Sequence, residues 1–479
     1  MNTESRTVFV SGHFNVLHPG HVRLLRFARE CGERLIVAVE SDRIAGAAVH
    51  VPEHLRLEGI RSNAYVSEAF IADEPIVAVI RRLRPAIVVK GKEHEAKANP
   101  EREAIAAYGG RLLFSSGEAT FTSLDLIRRE FQGGLPNNLR LPLEYMARHG
   151  IDGARLMARV AAFPQLRVGV IGDLIIDEYI TCEPLGMSQE DPTIVVTPID
   201  AVRFVGGAGI VAAHAAGLGA KVNFLSVTGR DAAREFALDG LQAAEVEAHL
   251  LVDETRPTTL KQRFRCKGKS LLRVSHLHQG AIPAGLQATL LERLAALLPH
   301  LDLLVFSDFN YGVLPQPLVE HIVAQAKAQG VRLAADSQSS SQVGDISRYQ
   351  AMDLITPTER EARISTRNRE DGLVILAEQL RRQSQAHNIL LKLGEEGVLI
   401  HAGNGEDATW LTDQVEALNA APKDVAGAGD SLLITSSMTL AGGGDIWEAA
   451  CLGSLAAAVQ VGRVGNTPLR TQELLSEIP

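Results

Sequence analysis

Two glycine-punctuated stretches of this chain carry side chains suited to phosphate chemistry. In the run Gly12-His13-Phe14-Asn15-Val16-Leu17-His18-Pro19-Gly20-His21, two histidines, His18 and His21, stand three apart. The stretch follows an apolar strand and opens a helical pattern. Glycines there let backbone approach a ligand closely. A helix start aims N–H groups and its positive dipole end at phosphate. The histidines could donate hydrogen bonds to a triphosphate and stabilise charge that develops in phosphoryl or nucleotidyl transfer. The second stretch is Asp424-Val425-Ala426-Gly427-Ala428-Gly429-Asp430-Ser431. Here Ala426, Gly427, Ala428 and Gly429 can form a turn whose N–H groups converge on an anion. Asp430 then stands at its mouth, where a carboxylate can take a proton from a sugar hydroxyl attacking a γ-phosphate. Taken singly, each stretch also reads as an ordinary strand–turn–helix, the second with Asp as an N-cap.

The elements that must hold these residues are legible around them. Short apolar runs, TVFVSG, RLIVAVE, AIVVKG, RVGVIGD, LDLLVFSD, VRLAADS, NILLKLG and GVLIHAG, alternate with helical patterns such as HVRLLRFAREC and AGLQATLLERLAALLPH. Runs apolar throughout predict strands buried on both faces of a parallel sheet. Alternation of strand and helix along the whole chain predicts an α/β architecture. Two segments, IVVTPIDAVRFVGG and TTLKQRFRCKGKSLLRVSHLH, instead alternate apolar and polar residues, which predicts half-exposed strands. His276 and His278 at the end of the second read as surface residues. The breaker-rich FQGGLPNNLRLPLE marks the boundary between domains. Residues 1–130 form the first domain, 131–165 a linker with a helical segment, and 166–479 the second domain.

Composition narrows the function classes. The 479 residues are 46% hydrophobic and 22% charged, as in folded protein, with a net charge of -9. An acidic chain lacks the cationic surface that nucleic acid requires, so no nucleic-acid partner is expected. No apolar run reaches the roughly 20 residues of a membrane span, so no membrane partner is expected. The start has no basic region followed by a long apolar stretch, so no signal peptide is expected. Cys31, Cys182, Cys266 and Cys451 are scattered without CxxC spacing. That argues against a disulfide framework or a zinc site and suits a cytoplasmic protein.

The first stretch resembles the GxFDxxHxGH signature of the cytidylyltransferase-like nucleotidyltransferases, over about residues 6 to 128. Its wording is nearest the heptose 1-phosphate adenylyltransferases. Val88-Val89-Lys90-Gly91-Lys92 resembles that family's VKG segment, whose lysine approaches the nucleotide phosphates. Thr122 and Ser123 fall at its Ser/Thr-rich helix start. The resemblance implies a Rossmann-like domain in which His18, His21 and Lys90 serve catalysis, with Gly12, Phe14, Gly20, Thr122 and Ser123 around the nucleotide. Asn15 replaces the family's usual Asp, and Lys92-Glu93 its usual Gly-Asp.

The second domain resembles the ribokinase (PfkB) family through five motifs in order. They are Gly172-Asp173 with Asp177, Gly206-Gly207-Ala208-Gly209, Thr358-Glu359-Arg360-Glu361, Lys392-Leu393-Gly394-Glu395-Glu396-Gly397, and DVAGAGD. This implies a ribokinase-like α/β domain with a small β lid that covers the sugar and often dimerises. By the resemblance Asp430 is the base, 426–429 the anion hole, and Lys392, Gly394 and Gly397 nucleotide-binding. Asp173, Asp177, Gly206, Gly207, Lys261 and Arg263 would bind sugar, and Glu361 would support magnesium. Arg256-Pro257-Thr258-Thr259, Ser307-Asp308-Phe309 and Leu354-Ile355-Thr356-Pro357 are similar to the sugar kinases of ADP-heptose synthesis. Those are often fused to a nucleotidyltransferase, but with the kinase first. Ile210 and Thr358 replace two asparagines, and Tyr311 and Gln338 lie where those kinases carry lysines. A distal phosphate would then fall to Lys261, Arg263 or Arg203.

The expected activity is therefore bifunctional. One domain would phosphorylate a sugar phosphate with ATP, D-glycero-β-D-manno-heptose 7-phosphate first among acceptors. The other would transfer a nucleotidyl group to the sugar 1-phosphate. Mg²⁺ is expected for both steps, and a homodimer through the lid. The same motifs leave open another sugar or polyol phosphate with CTP, or a sugar-sensing kinase-like module beside an active nucleotidyltransferase.

Overall fold

The computed structural model describes residues 7–478 apart from 16, 18, 47–48, 50, 92–98, 116–138, 189, 192, 267–268, 340–343 and 404–410. The chain forms two compact units. One comprises residues 1–136, 367–379 and 412–414, the other 137–366, 380–411 and 415–479.

The first unit holds a five-stranded sheet of β1 (Thr7–Gly12), β2 (Arg34–Glu40), β3 (Glu68–Ala72), β4 (Ile87–Gly91) and β5 (Arg111–Ser115). The order is β3-β2-β1-β4-β5 and every pairing is parallel. Parallel neighbours need crossovers, and helices Pro19–Glu30, Glu53–Arg61, Ile76–Leu83 and Glu101–Ala106 supply them. Val8 and Val10 of β1 pack into one core with Leu25 and Ile60, while Phe9 packs into another with Val79 and Ile105. Alternate side chains thus bury both faces of the sheet. The strand order reverses between β1 and β4. Ligands of open α/β sheets bind at such a switch point, beyond the carboxyl ends of the strands.

The second unit contains β6 (Arg167–Gly172), β7 (Leu174–Met187), β8 (Ile194–Gly207), β9 (Lys221–Thr228), β10 (Glu247–Val252), β11 (Thr259–Cys266) and β12 (Lys269–His276). It continues with β13 (Leu303–Asp308), β14 (Arg332–Ser337), β15 (Leu354–Ile355), β16 (Asn388–Lys392), β17 (Val398–Ala402) and β18 (Leu411–Val415). Nine of these make a sheet of order β10-β9-β6-β13-β14-β15-β16-β17-β18. It is parallel from β10 to β16, and β17 turns back antiparallel to β16. The sheet is therefore not wholly parallel as the apolar runs predict, because the short turn Gly394–Gly397 leaves no room for a crossover.

A separate four-stranded sheet has the order β12-β11-β7-β8. It contains both alternating segments. It also contains β7, which the pattern missed: its first seven residues are all buried and its last five all exposed, so no alternation marks it.

The stretch read as linker is built into the second unit from residue 139 onward. Arg140 N donates to Leu418 O at 2.7 Å. Tyr145, Met146, Ile151, Leu156, Val160 and Phe163 are buried in the same core as Val168, Val305 and Leu433. Arg155 and Arg159 donate to the fully buried side chain of Glu448 at 3.0 and 3.1 Å.

Candidate active site

The second unit has a cleft of about 420 Å³ lined from both sheets. Ile175, Asp177, Gly207, Lys261, Arg263, Arg273 and Ser275 come from the four-stranded sheet, and Lys392 from the larger one, with Gln338, Thr358, Glu361, Val425, Ala426, Gly427, Gly429 and Asp430 from the segments around it. Of the residues predicted for this unit, the cleft brings together Asp177, Gly207, Lys261 and Arg263 for sugar, Lys392 for nucleotide, Glu361 for metal, Ala426, Gly427 and Gly429 of the anion hole, and Asp430.

The turn at 424–430 is fixed from behind. Asp424 Oδ1 accepts from Ala426 N at 3.1 Å, and its Oδ2 accepts from Tyr179 OH at 3.0 Å and Gly465 N at 3.2 Å. Gly427 has φ +79°, and a Cβ there would lie 2.4 Å from Asn466 Oδ1, so only glycine fits. Helix Ala428–Ala441 starts at once, and the N–H groups of its first turn have no carbonyl within the helix to bond. The Ala426 N–H is taken by Asp424 and the Ala428 N–H donates to Val425 O at 3.4 Å, so the amides left to meet an anion are those of Gly427, Gly429 and Asp430.

Asp430 sits in the first turn, 6% exposed. Burial, reinforced by the nearby Asp336 carboxylate and opposed by Lys392, pushes its pKa up to about 7. Gln338 Nε2 donates to its Oδ1 at 3.3 Å. Lys392 Nζ contacts both oxygens of buried Asp336, at 3.0 and 2.9 Å. Gly429 passes close to it; a Cβ there would lie 3.3 Å from Nζ.

The other predicted residues divide between wall and support. Asp177 faces the cleft. Burial raises its carboxyl above the usual range, while Arg263 and Lys261 pull it down; Arg263 Nη2 lies 3.3 Å away. Gly206 lets Asp177 approach, since a Cβ would meet Oδ2 at 2.4 Å. Asp173 is instead spent behind the wall. Its carboxyl accepts from the amides of Phe309, Tyr311 and Val313 at 2.8, 3.3 and 3.4 Å. That loop presents Phe309 and Tyr311, whose rings hold Lys261 Nζ at 5.0 and 5.1 Å. Gly394 and Gly397, both at positive φ, shape the β16–β17 turn and do not line the cleft.

The departures have definite places. Ile210 is buried in helix Ala208–Gly217, away from the cleft wall. Thr358 caps helix Glu359–Thr366: Glu361 N donates to its Oγ1 at 3.3 Å while Glu361 Oε2 accepts from Thr358 N at 2.7 Å, a reciprocal box. Glu361 Oε1 accepts from Ser339 N at 2.9 Å. Arg203 is paired with Glu178 at 2.7 Å and is not on the cleft wall. Sequence reasoning missed Arg273. Its signal was the spacing of two in β12, which sets Arg273 opposite Arg263 and Ser275 opposite Lys261.

In the first unit, Gly12 ends β1, and Phe14 is buried at φ +50° with its ring edge-on to His21 at 5.1 Å. Gly20 lies in helix Pro19–Glu30. Arg56, with no exposed side-chain surface, anchors this turn: it donates to His13 O at 2.6 Å, Val51 O at 2.8 Å and Asp42 Oδ1 at 2.6 Å. Sequence alone gave no sign of it. Lys90 is the penultimate residue of β4, the neighbour of β1, and pairs with Glu101 at 2.8 Å. His18, Thr122, Ser123 and Lys92-Glu93 lie outside the described residues.

A doubly covered α/β sheet, a β-sheet across its cleft and a buried Asp at a glycine-lined helix start define a ribokinase-like fold. The chain belongs to the pfkB family of carbohydrate kinases, whose model matches residues 165–472. Residues 9–113 match the cytidylyltransferase-like model, so the nucleotidyltransferase-like domain comes first. The chain is 31% identical over 321 residues to the bifunctional protein HldE of Helicobacter hepaticus, covering 65% of this chain and 64% of that protein. It is 29% identical to that of Syntrophotalea carbinolica, covering 68% and 65%. The chain thus spans just under two thirds of these relatives' length. Among solved structures, Arabidopsis thaliana ribokinase complexed with ribose and ATP superposes with a TM-score of 0.52 at 16% identity, over 65% of this chain and 98% of that one. Escherichia coli phosphofructokinase-2 gives 0.53 at 17%, over 65% and 98%. At such identity these likenesses speak for the fold.

Among the described residues, no group of three or more His, Cys, Asp or Glu is placed to hold a metal, and no helix is long and apolar enough to cross a membrane. The four cysteines are free thiols.

Proposed function

We propose that the chain is a bifunctional enzyme of sugar-nucleotide synthesis. Residues 166–479 phosphorylate a sugar phosphate at its anomeric hydroxyl with ATP, and D-glycero-β-D-manno-heptose 7-phosphate is the acceptor. Residues 1–130 transfer AMP from ATP to the sugar 1-phosphate and release pyrophosphate. The observation that carries the kinase reading is Asp430, a buried carboxylate of raised basicity beside the amides of the 427–430 turn. As the acceptor oxygen bonds to the γ-phosphorus, its proton passes to Asp430, the β–γ bridging bond breaks and ADP leaves. The turn's N–H groups receive the negative charge of the transferring phosphoryl. Lys261, held by two rings, and Arg273 offer cations for the acceptor's distal phosphate.

Glu361, which lines the cleft with Lys392, is the residue that would hold a magnesium ion shared with the nucleotide, its carboxylate oxygens already oriented by the amides of Ser339 and Thr358. Such an ion would offset the negative charge of the nucleotide phosphates. In the first unit, Lys90 near the end of β4 and His21 in the helix that follows β1 serve the triphosphate, and the resemblance gives His18 the same task.

The four-stranded sheet supports a dimer. Leu185, Met187, Ile194, Ile199 and Leu272 are all more than half exposed on it, a patch that marks an interaction surface.

The test is mass spectrometry of products formed from heptose 7-phosphate, ATP and Mg²⁺, beside Asp430→Asn. A bisphosphate made by the wild type and absent with the variant supports the reading. Return of intact sugar by the wild type refutes the heptose assignment.

A further inference from the structure

In the proposed kinase, one oxygen of the base must face the acceptor while the carboxylate as a whole is held still. Lys392 directs its ammonium to both oxygens of Asp336 and makes no hydrogen bond to Asp430 among the described residues. Among the described residues, the one side-chain hydrogen bond to the Asp430 carboxylate comes from Gln338 Nε2, to Oδ1. Gln338 is itself fixed on both sides of its backbone. Its N–H donates to Asp308 O at 2.8 Å and its carbonyl accepts from Asn310 Nδ2 at 3.0 Å. We infer that Gln338 is the positioning residue of the kinase site: it holds Asp430 Oδ1 and leaves Oδ2 to take the acceptor's proton. This rests on the kinase reading given above.

The choice of an amide matters. The charged groups that face Asp430 are Asp336 of β14, Lys392 of β16, Asp177 of β7 and Lys261 of β11. Two are negative and two positive. A neutral donor orients the carboxylate without adding a charge to that balance, so the base loses less of its affinity for a proton than it would to a cation. A lysine at 338 would add a third cation and weaken the base.

The test compares wild type, Gln338→Leu and Gln338→Lys. In initial rates of sugar-phosphate phosphorylation from pH 5 to 9, Gln338→Leu is expected to lose about tenfold in kcat. The KM for ATP should stay within about twofold. Its acidic limb should move to higher pH, because a bond favouring the charged form is gone, and that of Gln338→Lys to lower pH. A second measurement needs no turnover. Urea unfolding between pH 4 and 8 should lose stability more steeply with Gln338→Leu than with wild type, and the difference should vanish when both carry Asp430→Asn. Unmoved limbs, a loss confined to the acceptor's KM, or an effect that persists in the Asp430→Asn background would overturn the role. Absence of any phosphorylated product from the wild type, with the unfolding cycle as expected, would refute the kinase reading and leave the Gln338–Asp430 coupling standing.

Discussion

Lys392 Nζ bonds both carboxylate oxygens of Asp336 in a two-pronged pair whose side chains are 13% and 2% exposed. Burial pushes Asp336 up to about 6; Lys392 opposes that rise and Glu361 adds to it. Burial works to lower the pKa of Lys392, but Asp336, Glu361 and Asp430 outweigh it and raise it. Removing one partner strands the other charge. Lys392→Met is therefore expected to cost about 3–5 kcal/mol of stability, read from urea unfolding at pH 8. Asp336→Asn in the same chain should restore part of it. A Lys392→Met chain as stable as wild type would show that water already reaches the pair.

Asp430 makes the opposite kind of prediction. Its carboxyl, raised to about 7 from an unfolded value near 3.8, binds more protons folded than unfolded across that interval. Stability therefore falls as pH rises from about 4 to 7 and stays lowered above. Asp430→Asn removes that penalty. The variant should be more stable than wild type at pH 8, by on the order of 2–4 kcal/mol, and equal to it near pH 4. It should also lose at least about a hundredfold in phosphoryl transfer. Calorimetry at the two pH values decides; equal melting temperatures at pH 8 would argue against a strained, buried base.

The exposed apolar face of the four-stranded sheet gives a third. Ile199, 64% exposed on edge strand β8, should sit within a dimer interface. Ile199→Lys is expected to convert a dimer to monomer in light scattering at micromolar concentration, with the far-ultraviolet spectrum unchanged. A wild-type chain that is already monomeric would remove the interface.

Much of this molecule can be read from its residues, and the parts that cannot share a cause. All eight apolar runs are strands, β1, β2, β4, β6, β13, β14, β16 and β17, since burial on both faces leaves a continuous apolar mark. The 424–430 turn is legible because its glycines answer a local backbone need. The contacts that finish the site are not local. Gln338 reaches Asp430 across 92 positions, Lys392 reaches Asp336 across 56, and Arg56 reaches His13 across 43. No periodicity records such pairings. Asp173 shows the converse: its motif points at ligand, while the structure gives its carboxyl to three amides of a loop.

The placement of residues 139–163 decides where the kinase-family domain begins. A kinase fragment cut at Arg167, where the first strand of its sheet begins, would lose Tyr145, Met146, Leu156, Val160 and Phe163 from its interior. It would also leave Glu448 without its two arginines. Fission of the gene just upstream of Leu139 keeps all of these. The same boundary constrains any reshuffling of module order, since the helices ahead of the kinase sheet must travel with it.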